Sequence, residues 1–149
     1  MPLRRNNPSR ARLFCKATKV IFLYHLFCFK PMTELIACLS SGKGTWMEVN
    51  SIIRAEEWGK IFLVTNDFGR QNYKPVKEAE LIVLDAGDSL SNSIEKIKKA
   101  LDGKINGLEV ALNISSGDGK EHTALLSALM QLGIGFRLVA FSENKIIEL

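Results

Sequence analysis

Cysteine and histidine are scarce in this chain, three and two in 149 residues. Cys15 and Cys28 fall near the N-terminus, which leaves Cys38 alone inside an apolar run, the setting of a buried structural thiol. No two of these residues have the paired spacing of a zinc site. A disulfide framework is excluded as well, so the expected setting is reducing and cytoplasmic. Neither a metal nor a cofactor is expected. Long apolar runs are also missing: the longest early one, Val20 to Phe29, is half the roughly 20 residues that a membrane span needs.

Acidic residues are absent before residue 32, where Arg4, Arg5, Arg10, Arg12, Lys16, Lys19 and Lys30 are all positive. Taking those seven from the 20 basic residues leaves 13 against 16 acidic ones, so the formal charge of +4 becomes −3 for the remainder. The remainder is therefore not a general polyanion binder, and long nucleic acid is not an expected partner. Residues 1–31 read as a basic stretch leading into an apolar one. No small-residue cleavage site follows, because Cys28-Phe29-Lys30-Pro31 is bulky and charged. We read Met32 as the start of the domain and residues 1–31 as an over-long gene start. A hydrophobic anchor or an added structural element are the alternatives.

From residue 34 onward, short continuous apolar runs alternate with longer segments of helical period. That pattern belongs to an α/β fold with a doubly wound, mostly parallel sheet of five to six strands, covered on both faces. Five core strands are expected at Leu35 to Leu39, Ile61 to Thr65, Leu81 to Leu84, Leu108 to Ile114 and Arg137 to Phe141. The end of the chain reads as a hairpin that adds an antiparallel edge strand.

Trp46, Val49, Ile52 and Ile53 define one face of a helix over Thr45 to Trp58. Leu90, Ile94, Ile97 and Leu101 define another, capped by Ser89 or Ser91 and ended by Gly103. A third helix, Lys120 to Leu132, is apolar around most of its circumference. It should bury one side on the sheet and another against a second subunit. Between Asn66 and Glu80 the sequence fits either a short helix opened by Pro75 or a plain loop.

In an open parallel sheet, ligands bind beyond the carboxyl ends of the strands, where loops run into helix N-termini. Two loops there have suitable chemistry. Ser40, Ser41, Gly42, Lys43, Gly44 and Thr45 follow the first strand; Asn113, Ser115, Ser116, Gly117, Asp118, Gly119 and Lys120 follow the fourth. Each combines hydroxyls, glycines that admit close backbone approach, one lysine and a helix end that favours anions. Neither has the glycine spacing of a P-loop or of a dinucleotide fingerprint. In a sheet ordered 3-2-1-4-5 the two loops meet at the switch point. His122 is a candidate proton carrier, with a helix-end packing role as the alternative. Asp118 is placed to cap the third helix rather than to bind a metal. Arg70 and Lys74, beyond the second strand, fit a solvated loop, with reach to the same mouth as the alternative. Asp67, Asp85 and Asp88 stand at strand ends without evident partners.

The run Val110-Ala111-Leu112-Asn113-Ile114-Ser115-Ser116-Gly117-Asp118-Gly119-Lys120, followed by the apolar helix, resembles the CRISPR-associated Rossmann fold (CARF) domains. Those carry an Asn-x-Ser/Thr-Gly-Gly-x-Lys-like motif at the fourth strand. The Ser40-Ser41-Gly42 loop looks like their other ligand loop. The chain departs from the motif in that Asp118 separates the two glycines and the lysine stands one place late.

The resemblance implies a Rossmann-like dimer that senses cyclic oligoadenylates across its interface and sometimes cleaves them. Ligand contacts would come from Ser40, Ser41, Gly42 and Thr45, and from Ser115, Ser116, Gly117, Gly119 and Lys120, with Asn113 bracing its loop. Cleavage would be metal-independent, with Lys120 or Lys43 stabilising charge as a ribose 2′-hydroxyl attacks phosphate. The competing readings are a small enzyme acting on a nucleotide or sugar phosphate, and a non-catalytic dimerisation module.

Overall fold

The computed structural model describes residues 32–39 and 42–149, with Lys43 described in its backbone only. The chain divides into two units, residues 1–31 and 32–149, and the described residues all belong to the second. The basic and apolar stretch with its cysteines, together with Ser40 and Ser41, lies outside the described residues.

Six strands form one sheet: β1 (Leu35–Leu39), β2 (Ile61–Thr65), β3 (Glu80–Val83), β4 (Glu109–Asn113), β5 (Gly135–Ser142) and β6 (Lys145–Glu148). Their order is β3-β2-β1-β4-β5-β6. All neighbours are parallel except β5 and β6, which form an antiparallel hairpin. Glu143 and Asn144 turn that hairpin with φ of 51° and 62°, the left-handed pair that suits a two-residue turn. The expected α/β fold with a mostly parallel sheet is thus the observed one.

The continuous apolar runs have a direct cause, since alternate residues of each central strand pack into different cores. Ile36, Cys38, Phe62, Val64, Val110 and Leu112 face α3 (Leu90–Leu101) and α4 (Gly119–Leu132). Leu35, Ala37, Leu39, Leu63 and Ala111 face α1 (Lys43–Ala55). β1 is fully buried along its length because both cores claim it.

The last three strands of the expected core and the third helix shift by one or two residues at their ends, and two helical segments differ more. α1 starts at Lys43 and ends at Ala55, and Trp58 folds back so that its indole N–H donates to the Ile52 carbonyl at 3.1 Å. Pro75 opens no helix. A short α2 (Asp67–Asn72) comes earlier, with the Asn66 side chain accepting from the Gly69 N–H. Asn66-Asp67 is a recognisable helix start, but Gly69 within the next turn obscured it. Gly69 is required there: a Cβ on it would stand 1.9 Å from the Thr65 hydroxyl. The apolar girth of α4 is explained largely inside the chain, because α3 packs along it while the sheet covers Ala124, Leu125, Ala128 and Leu129. Met130 alone of its large apolar side chains stands well exposed.

Candidate functional site

β1 and β4 are neighbours, with Ala37 beside Asn113, so their following loops emerge together at the carboxyl edge of the sheet. A side-chain contact joins them. The Thr45 hydroxyl donates to the Gly42 carbonyl at 2.9 Å and is hydrogen-bonded to the Ser116 hydroxyl at 2.9 Å. The two loops picked out from sequence therefore meet where strand order reverses, through Thr45, Gly42 and Ser116.

Asn113 is the hub of the second loop. It is completely buried, and its amide nitrogen donates to the Val139 carbonyl at 2.8 Å and to Ser115 Oγ at 3.0 Å. Ser115 in turn donates to Glu48 Oε1 on α1 at 2.7 Å. Glu48 was not anticipated from sequence, where it reads as an ordinary solvent-facing helix residue. Only the juxtaposition of α1 with the β4 loop gives it a role.

The remaining motif residues serve to hold the loop. Asp118 accepts from the Glu121 N–H at 2.8 Å while Glu121 accepts from the Asp118 N–H at 3.0 Å, a reciprocal capping box at the start of α4. His122 Nε2 lies 2.8 Å from the Ser116 carbonyl and so donates to it, making this histidine a brace of the loop. Gly117 has φ of +110°, and a Cβ there would stand 2.7 Å from His122 Nε2. Asp118→Ala should cost about 1 kcal/mol of stability, the usual effect of losing a helix cap. A urea titration checks this, and a change below ~0.3 kcal/mol would show that water replaces the cap fully.

Burial pushes the Cys38 thiol up to about 12, with the Glu121 and Asp118 carboxylates adding to the rise. Cys38 is accordingly an inert core residue rather than a nucleophile. Burial also raises the Glu121 carboxyl above its ordinary range.

Lys120 turns elsewhere. Its amine donates to the carbonyls of Ala86, at 3.3 Å, and of Asp88 in the loop after β3. There it borders a small pocket of about 130 Å³ shared with Asn66, Asp85, Asp118 and Glu121. Asp85 and Asp88, without evident partners in sequence, are both held by the Lys96 amine, at 2.5 and 2.6 Å. Asp67 pairs with Arg70 at 3.0 Å on the surface, and Lys74 is exposed.

No protein-family model matches this chain, and no curated protein matches it.

Among the described residues no group of three or more His, Cys, Asp or Glu side chains is placed to hold a metal ion, and no helix is long and apolar enough to cross a membrane. A wider depression of about 550 Å³ lies at the amino ends of β2 and β3, lined in part by Trp58, Lys60, Lys77 and Glu80. Its lysines are already engaged: Lys60 with the Lys104 carbonyl, and Lys77 with Glu56 and Glu57. The crossover point, with its convergent hydroxyls and buried amide, is the better candidate.

The Lys96 clamp also has a pH signature. The Asp88 carboxyl is held below its ordinary value, first of all by the hydrogen bond from Lys96. The unfolded chain therefore takes up this proton before the folded one as pH falls. Stability from the clamp is present above the ordinary aspartate value near 4 and is lost progressively below it. Urea midpoints for the native chain and Lys96→Met should converge between pH 6 and 3. Parallel profiles over that interval would remove the clamp's role.

Proposed function

We propose that this domain binds a nucleotide-like ligand at the β1–β4 crossover, and that the ligand class is the cyclic oligoadenylate implied by the CARF resemblance. One observation carries the reading: two Ser/Gly loops on adjacent central strands are tied together through Thr45 and Ser116 at the point where such sheets take their ligands.

The two helix ends support different roles. α4 is closed by its own capping box and carries Glu121 in its first turn. Among the described residues, α1 has no side-chain cap at its N-cap residue Gly42 and no acid in its first turn. A phosphate accordingly belongs with α1, where helix charge attracts it, rather than with the α4 end that bears the motif. Lys120, committed to the loop after β3, has no part in this binding reading, which is one of sensing rather than cleavage. A cytoplasmic setting and a two-fold pair of domains belong to the same reading.

Isothermal titration with cyclic tetra- and hexaadenylate tests it. Binding at micromolar concentration is expected, with Ser116→Ala about tenfold weaker, equivalent to ~1.4 kcal/mol. Failure of both rings to bind would refute the reading. Sedimentation tests the pair separately, and a stable dilute monomer would remove it.

A further inference from the structure

The Asn113 carboxamide is held in one orientation. Its nitrogen spends both protons, one on the Val139 carbonyl and one on Ser115 Oγ, which can only accept because its own proton goes to Glu48. The oxygen, Oδ1, is consequently fixed as an acceptor. It is buried, and among the described residues nothing donates to it. Buried polar atoms in native proteins are nearly always paired, so an orphaned one at a crossover point needs an explanation.

Its direction follows from the strand pattern. Asn113 lies on the same face of β4 as Ala111, which packs in the core under α1. β4 stands between β1 and β5. The nitrogen arm reaches the β5 backbone at Val139. Since the two arms of a carboxamide diverge, the oxygen arm turns away from Val139, and Asn113 itself stands beside Ala37 near the carboxyl end of β1. Nearby, Glu48 places a carboxylate two hydrogen bonds away. This side of the crevice offers acceptors and negative charge, which repel a phosphate oxygen and suit a donor.

Resting on the nucleotide reading above, we infer that Asn113 is the specificity residue of the crevice: its Oδ1 accepts a hydrogen bond from a hydroxyl or amino group of the ligand. Sugar or base therefore lies toward Asn113, and phosphate toward the start of α1. Asn113 has no exposed surface, so a ligand donor pairs with Oδ1 only after the side chains that cover it shift. A site built to pair a ligand donor discriminates strongly against analogues that lack it, because the protein acceptor is then left buried and unpaired.

The test compares cyclic tetraadenylate with two analogues, one lacking the 2′-hydroxyls and one lacking the purine 6-amino group, on the full native chain and on Asn113→Leu. On the native chain, one of the two analogues should bind at least tenfold more weakly than the parent ring. In Asn113→Leu that difference should shrink to within about twofold. Equal binding of the parent and both analogues to the native chain overturns the inference and leaves the nucleotide reading standing, as does a discrimination that survives in Asn113→Leu. No binding of the parent ring overturns both. Should Asn113→Leu fail to fold, the native-chain series decides by itself, a tenfold loss supporting the inference and equal affinities refuting it.

Discussion

Gly117→Ala should destabilise the domain by about 2–5 kcal/mol and abolish the ligand binding proposed for the crossover loops. The cost has two parts. A side chain at φ of +110° incurs backbone strain of roughly 1–3 kcal/mol. The new methyl group would also stand 2.7 Å from His122 Nε2, and 3.1 Å from both Cys38 Cβ and Glu121 Oε2. Those neighbours cannot easily give way: Cys38 is in the buried central strand, Glu121 is half of the capping box, and His122 holds the Ser116 carbonyl. Relief by moving the backbone would separate Ser116 from Thr45. Urea denaturation reads the stability term, and a loss under ~0.5 kcal/mol would show that the loop is far softer than its contacts imply.

Leu112→Ala tests the frame that holds the loops. Leu112 is fully buried on β4, in the core closed by α3 and α4, one residue before Asn113. Truncating such a leucine costs about 2–5 kcal/mol, from lost transfer energy together with the cavity left behind. A domain of this size has only some 5–15 kcal/mol in total, so a fall in melting temperature on the order of 10 °C is expected. Met130→Ala is the matched control: with 74% of its surface exposed, it should change monomer stability by less than ~0.5 kcal/mol. Equal effects at the two positions would contradict the packing described for α4.

Much of the architecture was legible in the sequence because the strands that matter most are buried on both faces. Leu35–Leu39 and Ile61–Thr65 are buried at every position, with Thr65 alone polar and at the very end, and both strands have the expected bounds. The helix capped by Ser89 was equally plain, since its hydrophobic spacing and its cap agree. α2 was harder to read. Six residues with a glycine inside have no periodicity to detect, and the helix is held by Asn66 and by the close approach to Thr65, which is a tertiary contact.

The candidate site was legible as chemistry and not as geometry. Serines, glycines and lysines in two strand-to-helix loops can be recognised in one dimension, and the alternation of elements brings those loops to one edge of the sheet. Which way each side chain turns cannot be recognised in that way. Lys120 sits in the motif yet donates to the carbonyls of Ala86 and Asp88 in the loop after β3. Asp118, an interruption of the motif in sequence, is the cap that sets where α4 begins. Glu48, distant in the chain, completes the hydrogen-bond relay from Asn113.

By itself, the sequence determined the α/β class, the strands of the double core and the pair of loops at the crossover, because those follow from local hydrophobic period and turn chemistry. Only the tertiary structure decided which loop residues face each other, which helix end is already capped and which buried oxygen is left unpaired. Those properties depend on the partners that residues far apart in the chain bring to one another, and no local pattern encodes them.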